Sequence, residues 1–81
     1  MKVRVELYAT LSKFLPPGAE GRKATVEVPD GSTIAHLLTH LGIRPEVTAL
    51  RMVNGTDRPV ETVLNDGDTL ALFPPLAGGA R

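Results

Sequence analysis

From Lys2 to Tyr8, apolar and polar residues alternate without a break, with Val3, Val5 and Leu7 in one phase and Lys2, Arg4 and Glu6 in the other. A period of two predicts a strand buried on one face. Ala9 to Leu15 fits a helical turn, stopped by Pro16-Pro17-Gly18, and Leu11, Phe14 and Leu15 are expected to close one end of the core. Alternation returns at Ala24, Val26 and Val28 and is followed by the turn residues Pro29-Asp30-Gly31, so a second strand is expected to pair with the first as a hairpin.

The period then changes. Ile34, Leu37, Leu38 and Leu41 fall at i, i+3, i+4 and i+7, Ser32 or Thr33 stands where a cap is needed, and Gly42 follows the last apolar position. This predicts one amphipathic helix with its stripe against a sheet. Ala49 to Val53 reads as a third strand, Asn54-Gly55 as a two-residue type I′ turn, and Arg58 to Val60 as a short return strand. After the turn-rich Leu64-Asn65-Asp66-Gly67-Asp68, the run Thr69 to Phe73 is apolar at nearly every position, as expected of a central strand buried on both faces. One helix across one face of a mixed sheet is an α+β arrangement.

Eighty-one residues suffice for one domain, which buries only about 60% of its unfolded-chain surface. With no cysteine, neither disulfides nor thiolate-bound metals staple it, and such a chain suits a reducing compartment. The nine basic and nine acidic residues cancel, the basic ones are scattered, and the aromatics are one Tyr and two Phe. Neither a phosphate-tracking groove nor a base-stacking platform is implied, so no nucleic acid is expected as a partner. The first residues lack the apolar core of a signal peptide, and no run approaches the roughly 20 apolar residues of a membrane span. A cytoplasmic protein without a membrane partner is expected.

The chemistry is expected in the tail. Residues 1–73 account for every periodic element, and residues 74–81 read Pro74-Pro75-Leu76-Ala77-Gly78-Gly79-Ala80-Arg81. Two prolines cannot continue a ladder and favour an extended path. Gly78 and Gly79 lack Cβ atoms, so their backbone fits a channel too narrow for other residues. Fully extended, Pro75 through Gly79 reach roughly 17 Å, enough to enter a partner's active site.

The order of elements, with Asp30-Gly31-Ser32-Thr33 before the helix, Asn54-Gly55, Asp66-Gly67-Asp68 before the last strand, and Leu72-Phe73-Pro74-Pro75-Leu76-Ala77-Gly78-Gly79 at the end, resembles the MoaD/ThiS family. That family contains the small subunit of molybdopterin synthase and the thiamine sulfur carrier, and is related to ubiquitin. The resemblance implies a ubiquitin-like β-grasp fold for residues 1–73 and a functional tail for residues 74–81. It also implies a carrier with no catalytic residues and no bound cofactor or metal. A ubiquitin-activating-like enzyme would use ATP to adenylate the carboxyl of Gly79, sulfur would replace AMP to leave a thiocarboxylate, and Gly78 would give access. Phe73, Pro74, Pro75, Leu76 and Ala77 would meet the partner. The implied acceptor is the molybdopterin synthase large subunit, which Phe73-Pro74-Pro75 favours, or another sulfur-accepting enzyme of thiamine or amino-acid synthesis. A ubiquitin-like modifier that joins lysines through Gly79 is the alternative of a different class. Most carriers end at the second glycine, whereas Ala80-Arg81 follows here, and the resemblance implies its removal by a metalloprotease.

Other residues invite other chemistry. His36 and His40, at i and i+4, have the spacing of two zinc ligands on one helix face, but they lie off the apolar stripe without a third ligand, so a solvated edge is expected. Asp66 and Asp68 fit turn chemistry better than a calcium loop, whose other ligands are missing. Arg4, Arg51 and Arg58 are expected on a solvated surface, with a partner as the alternative role. With one helix covering one sheet face, apolar residues of the last strand are left over. Phe73 is therefore expected to anchor a protein interface unless Leu11 to Leu15 cover it.

Overall fold

In the computed structural model, residues 1–75 are described, and they form five strands and one α-helix. The strands are β1 (Lys2–Leu7), β2 (Lys23–Glu27), β3 (Leu50–Val53), β4 (Thr56–Asp57) and β5 (Thr69–Phe73). The helix α1 spans Ile34–Leu41 between β2 and β3. Short 3-10 helices occupy Ala9–Phe14, as the sequence predicts, and Pro45–Val47, which the periodicity does not reveal. Pro45 begins the latter, a position where its missing N–H costs nothing.

The sheet order is β2-β1-β5-β3-β4, with β1 and β5 parallel and the other neighbours antiparallel. Val3, Val5 and Leu7 of β1, Leu70 and Leu72 of β5, and Ile34, Leu37 and Leu38 of α1 are all fully buried. The period-two phase of the sheet and the stripe of the helix therefore meet in one core. Leu11 is buried with them, and Phe14 and Leu15 pack against the cluster, so the first turn closes one end of the core as expected.

Each end of α1 is satisfied. The Thr33 hydroxyl accepts from the His36 N–H at 3.2 Å, while His36 Nδ1 accepts from the Thr33 N–H at 3.1 Å, which makes a capping box with an imidazole as the reciprocal acceptor. The N–H groups of Ile34 and Ala35 donate to the carbonyls of Thr62 and Val60, and that of Leu37 to Thr33. At the other end Gly42 takes φ +80°, and Ile43 N–H donates to the Leu38 carbonyl at 2.9 Å, forming a glycine-terminated Schellman close.

Two strand expectations are corrected. The return strand is Thr56–Asp57, paired with Val53 and Met52 across the Asn54-Gly55 turn, rather than Arg58 to Val60. Asn54 and Gly55 both have positive φ, as the turn requires. Arg58 still donates its N–H to the Arg51 carbonyl, but Pro59 has no N–H to continue the ladder, and the carbonyl of Val60 serves the helix instead. The second correction concerns β5, which is central but buried on one face only. Leu70 and Leu72 are wholly inaccessible, whereas Thr69, Ala71 and Phe73 are half-buried, because α1 covers only the side facing the core.

Truncating the N-cap tests this account of the helix. Thr33→Ala is expected to cost about 1 kcal/mol in urea unfolding, as N-cap removals do, and His36→Ala less. Because the two side chains act on one another's backbone, the double variant should cost less than the sum.

Candidate functional site at the root of the tail

The site is built from the open face of the sheet. Register places Lys23, Glu6, Ala71 and Met52 in one row across four strands, Thr25, Arg4 and Thr69 in another, and Phe73 beside Leu50 in a third. Residues paired across strands share a face. The β2 and β1 side of this face is thus charged, through Lys23, Arg4 and Glu6, and the β5 and β3 side is apolar, through Ala71, Phe73, Leu50 and Met52. The last four are all half-buried, so their outer surfaces remain available.

Tyr8 continues the outward phase of β1 and stacks on Phe73, with centroids 4.4 Å apart and planes at 10°. Such a pair contributes about 0.5–1.5 kcal/mol beyond its area. The Arg22 guanidinium lies 5.5 Å from the Tyr8 ring centroid, and the Tyr8 hydroxyl donates to Glu6 Oε1 at 3.0 Å. Tyr8 therefore covers part of the Phe73 ring. The hydrogen bond to Glu6 is the main reason the phenol pKa lies above its ordinary value of 10.0; partial desolvation and the Glu6 charge add to it, and Arg22 opposes them.

Backbone bonds hold the strand end until the prolines begin. Tyr8 N–H donates to the Leu72 carbonyl at 3.2 Å, and Ala49 N–H to the Phe73 carbonyl at 2.8 Å. Pro74 is half-buried and Pro75 exposed. Neither has an N–H for the ladder, so the strand stops where the tail was expected to start. Leu76, Ala77, Gly78 and Gly79, with Ala80-Arg81, lie outside the described residues.

The remaining candidates have structural partners. Asp66 Oδ1 accepts from the Lys2 N–H at 2.7 Å, and Asp68 accepts from Asn65 N–H and from Asn54 Nδ2, at 2.8 and 3.0 Å. Asn54 Oδ1 in turn accepts from Thr69 N–H. The two aspartates lock the loop to β1 and to the Asn54-Gly55 turn, which is turn chemistry. His36 serves the helix cap, His40 is exposed, and no group of three or more metal-ligating side chains exists among the described residues. Arg4 and Arg58 are exposed, whereas Arg51 is half-buried and donates through Nη1 to the Thr48 carbonyl and hydroxyl. The sequence reading did not single out Tyr8, Leu50 or Met52 as neighbours of Phe73. Tyr8 was legible from its place in the outward phase of β1; the other two needed the register of β3 against β5.

A ThiS family model matches residues 5–79. The chain belongs to the ThiS family. A search of curated proteins finds no significant match. Among solved structures, small archaeal modifier protein SAMP1 from Haloferax volcanii is similar at 25% identity and TM-score 0.70, over 98% of this chain and 100% of that one. A second structure of that protein aligns at 22% identity and TM-score 0.71, over 93% of this chain and 98% of that one. A Pyrococcus furiosus protein described as molybdopterin converting factor, subunit 1, aligns at 24% identity and TM-score 0.70, with the same coverage of 93% and 98%. The fold is ubiquitin-like β-grasp, and the chain is a MoaD/ThiS-type ubiquitin-like sulfur carrier. Members of this family are small carriers rather than catalysts, and they work with an adenylating enzyme and a sulfur-accepting partner. No helix among the described residues is long and apolar enough to cross a membrane.

The aromatic cluster makes a spectroscopic prediction. Tyr8 is the only tyrosine, so the absorbance of its phenolate reports one group. Its midpoint should lie above 10.0 and fall toward that value in Glu6→Gln. Since the folded-state pKa is the higher one, the associated stability is present below the ordinary pKa and is lost as pH rises through the raised one.

Proposed function

We propose that the chain carries sulfur as a thiocarboxylate on Gly79 and donates it in molybdopterin synthesis. The observation that carries this reading is the extent of the family match, which runs to Gly79 and leaves Ala80 and Arg81 beyond it. In this reading a metalloprotease first removes Ala80-Arg81. The freed carboxylate is ionised at neutral pH, since its intrinsic pKa lies near 3.5, and is a poor electrophile. A ubiquitin-activating-like enzyme joins it to the α-phosphate of ATP, releasing pyrophosphate. A sulfur nucleophile then attacks the acyl carbon, AMP leaves with the electrons of the C–O bond, and the thiocarboxylate remains. The carrier itself binds no cofactor, and the ATP belongs to the activating enzyme. Gly78 gives the narrow backbone this chemistry needs. Phe73, at the apolar half of the sheet face, forms the docking surface together with Pro74, Pro75, Leu76 and Ala77, which follow it in sequence.

The Phe73-Pro74-Pro75 segment and the structural likeness to the Pyrococcus protein support the molybdopterin synthase large subunit as acceptor. The setting we propose is the cytoplasm, which suits a chain without cysteine. A second reading, a ubiquitin-like modifier joined to lysines through Gly79, is favoured by the likeness to the archaeal modifier. The Ala80-Arg81 extension and the family description favour a third reading, sulfur delivery to thiamine or amino-acid synthesis.

Incubation with the host's activating enzyme, ATP and a sulfur source, followed by intact-mass measurement, tests the proposal. The expected product ends at Gly79 with sulfur in place of one oxygen. Recovery of only the chain ending at Arg81, or covalent ladders that need Gly79 without the sulfur form, would overturn it. Phe73→Asp should weaken binding to the sulfur acceptor at least about tenfold, as loss of an aromatic anchor does.

A further inference from the structure

A groove of about 380 Å³ lies between the 3-10 helix Ala9–Phe14 and the segment that leaves α1. Phe14, Val47 and Pro75 are part of its wall, and Lys13, Arg44 and Glu46 also line it. Phe14 and Val47 are half-buried and pack against the core, which fixes the apolar part of the wall. Tyr8, Met52, Ala71 and Phe73 do not line this groove, so it is separate from the open sheet face. Its volume is at the small end of the roughly 300–1,000 Å³ of ligand sites, room for a side chain or two rather than for a folded element.

The charges around this wall point to the occupant. Lys13 Nζ sits 5.4 Å from the Phe14 ring centroid, within cation–π range, so an ammonium stands directly beside the apolar surface. Lys13, Arg44 and Glu46 are exposed, and none of them forms an ion pair among the described residues, where the one ion pair joins the Met1 ammonium to Asp30. Two cations against one carboxylate leave the rim net positive. A small anion would leave Phe14 and Val47 uncovered, and a wholly apolar ligand would leave the cations unanswered. A bulky apolar side chain with carboxylates beside it answers both, since its charges stay at the rim and are not taken out of water. Pro75 follows the end of the last strand, so a protein that grips the chain there covers the groove as well.

We propose that this groove receives a segment of a partner protein in which a bulky apolar side chain, seated against Phe14 and Val47, is flanked by carboxylates that meet Lys13 and Arg44. Glu46 repels a carboxylate on its own side and so limits the directions in which the segment can lie. The open sheet face and the groove are then two separate contact surfaces, one largely apolar where it adjoins Phe73 and the other apolar with a basic rim. The proposal stands on the groove and its charges, and does not rest on the sulfur chemistry proposed above.

Titration of the isotope-labelled full chain with a capped synthetic peptide, Asp-Glu-Leu-Phe-Glu-Asp, followed by nuclear magnetic resonance, tests the docking without an activating enzyme or sulfur donor. Saturable shifts are expected at Lys13, Phe14, Arg44 and Val47, and none at Tyr8, Met52 or Ala71. The peptide with Lys at every acidic position, and the peptide with Ala for Leu and Phe, should each bind at least about tenfold more weakly. Lys13→Glu combined with Arg44→Glu changes only exposed side chains, so the fold should persist while binding weakens about tenfold. Added salt should weaken binding to the unaltered chain, by screening, and not to that double variant. Equal binding of the Lys peptide, shifts centred on the open sheet face, or no saturable shift up to about 5 mM peptide, beyond the range of weak specific complexes, would each overturn the proposal. Movement of the same resonances on dilution of the chain alone would assign the groove to a second copy and overturn it too. A failure of sulfur transfer leaves these readouts unaltered, so the two ideas fail separately.

Discussion

The structure depends on the parallel pairing of its first and last strands. β1 and β5 run side by side from Arg4 opposite Thr69 to Leu7 opposite Leu72, and the side chains they send inward are wholly buried. Parallel neighbours need a long crossover, and the whole of β2, α1, β3 and β4 lies between these two. Placing the terminal strand in the centre therefore closes the fold. It also roots the tail in the most constrained part of the sheet, where hydrogen bonds from Tyr8 and Ala49 hold the backbone up to Phe73. The change from a central strand to two prolines ends the ladder within one peptide unit of Phe73.

A single helix on a five-stranded sheet leaves two unlike faces. Toward α1 the sheet offers Val3, Val5, Leu7, Leu70 and Leu72, and they are buried in one core with Ile34, Leu37 and Leu38 of the helix. Away from α1 it offers a charged half and an apolar half, which meet where Tyr8 stacks between Phe73 and Arg22. Among the described residues no second layer packs over Leu50, Met52 and Phe73, which stay half-buried. These half-buried residues belong to the docking surface proposed for the carrier. The groove under Pro75 adds a second surface at the same end of the molecule.

Much of this was legible in the chain. The alternation of Val3, Val5 and Leu7, the stripe from Ile34 to Leu41, and the glycine and asparagine turns each report a local preference and lie where they were expected. Where the reading erred, a nonlocal bond had decided the matter. Arg58 to Val60 has the composition of a strand, but Pro59 interrupts its ladder and the Val60 carbonyl is drawn to the first turn of α1. The run from Thr69 to Phe73 is apolar enough to be buried on both faces, yet only one face has a helix to bury it. His36, expected at a solvated edge, is exposed and in addition completes a local cap by accepting from the Thr33 N–H.

The sequence by itself determined most of the elements and the mixed α+β layout, because periodicity and turn residues are properties of neighbours along the chain. Tertiary structure alone decided that Tyr8, Leu50 and Met52 surround Phe73, that the carbonyls of Val60 and Thr62 finish the helix, and that Phe14, Val47 and Pro75 share a groove. Those residues are tens of positions apart, and only strand register and the closure of one small core bring them together.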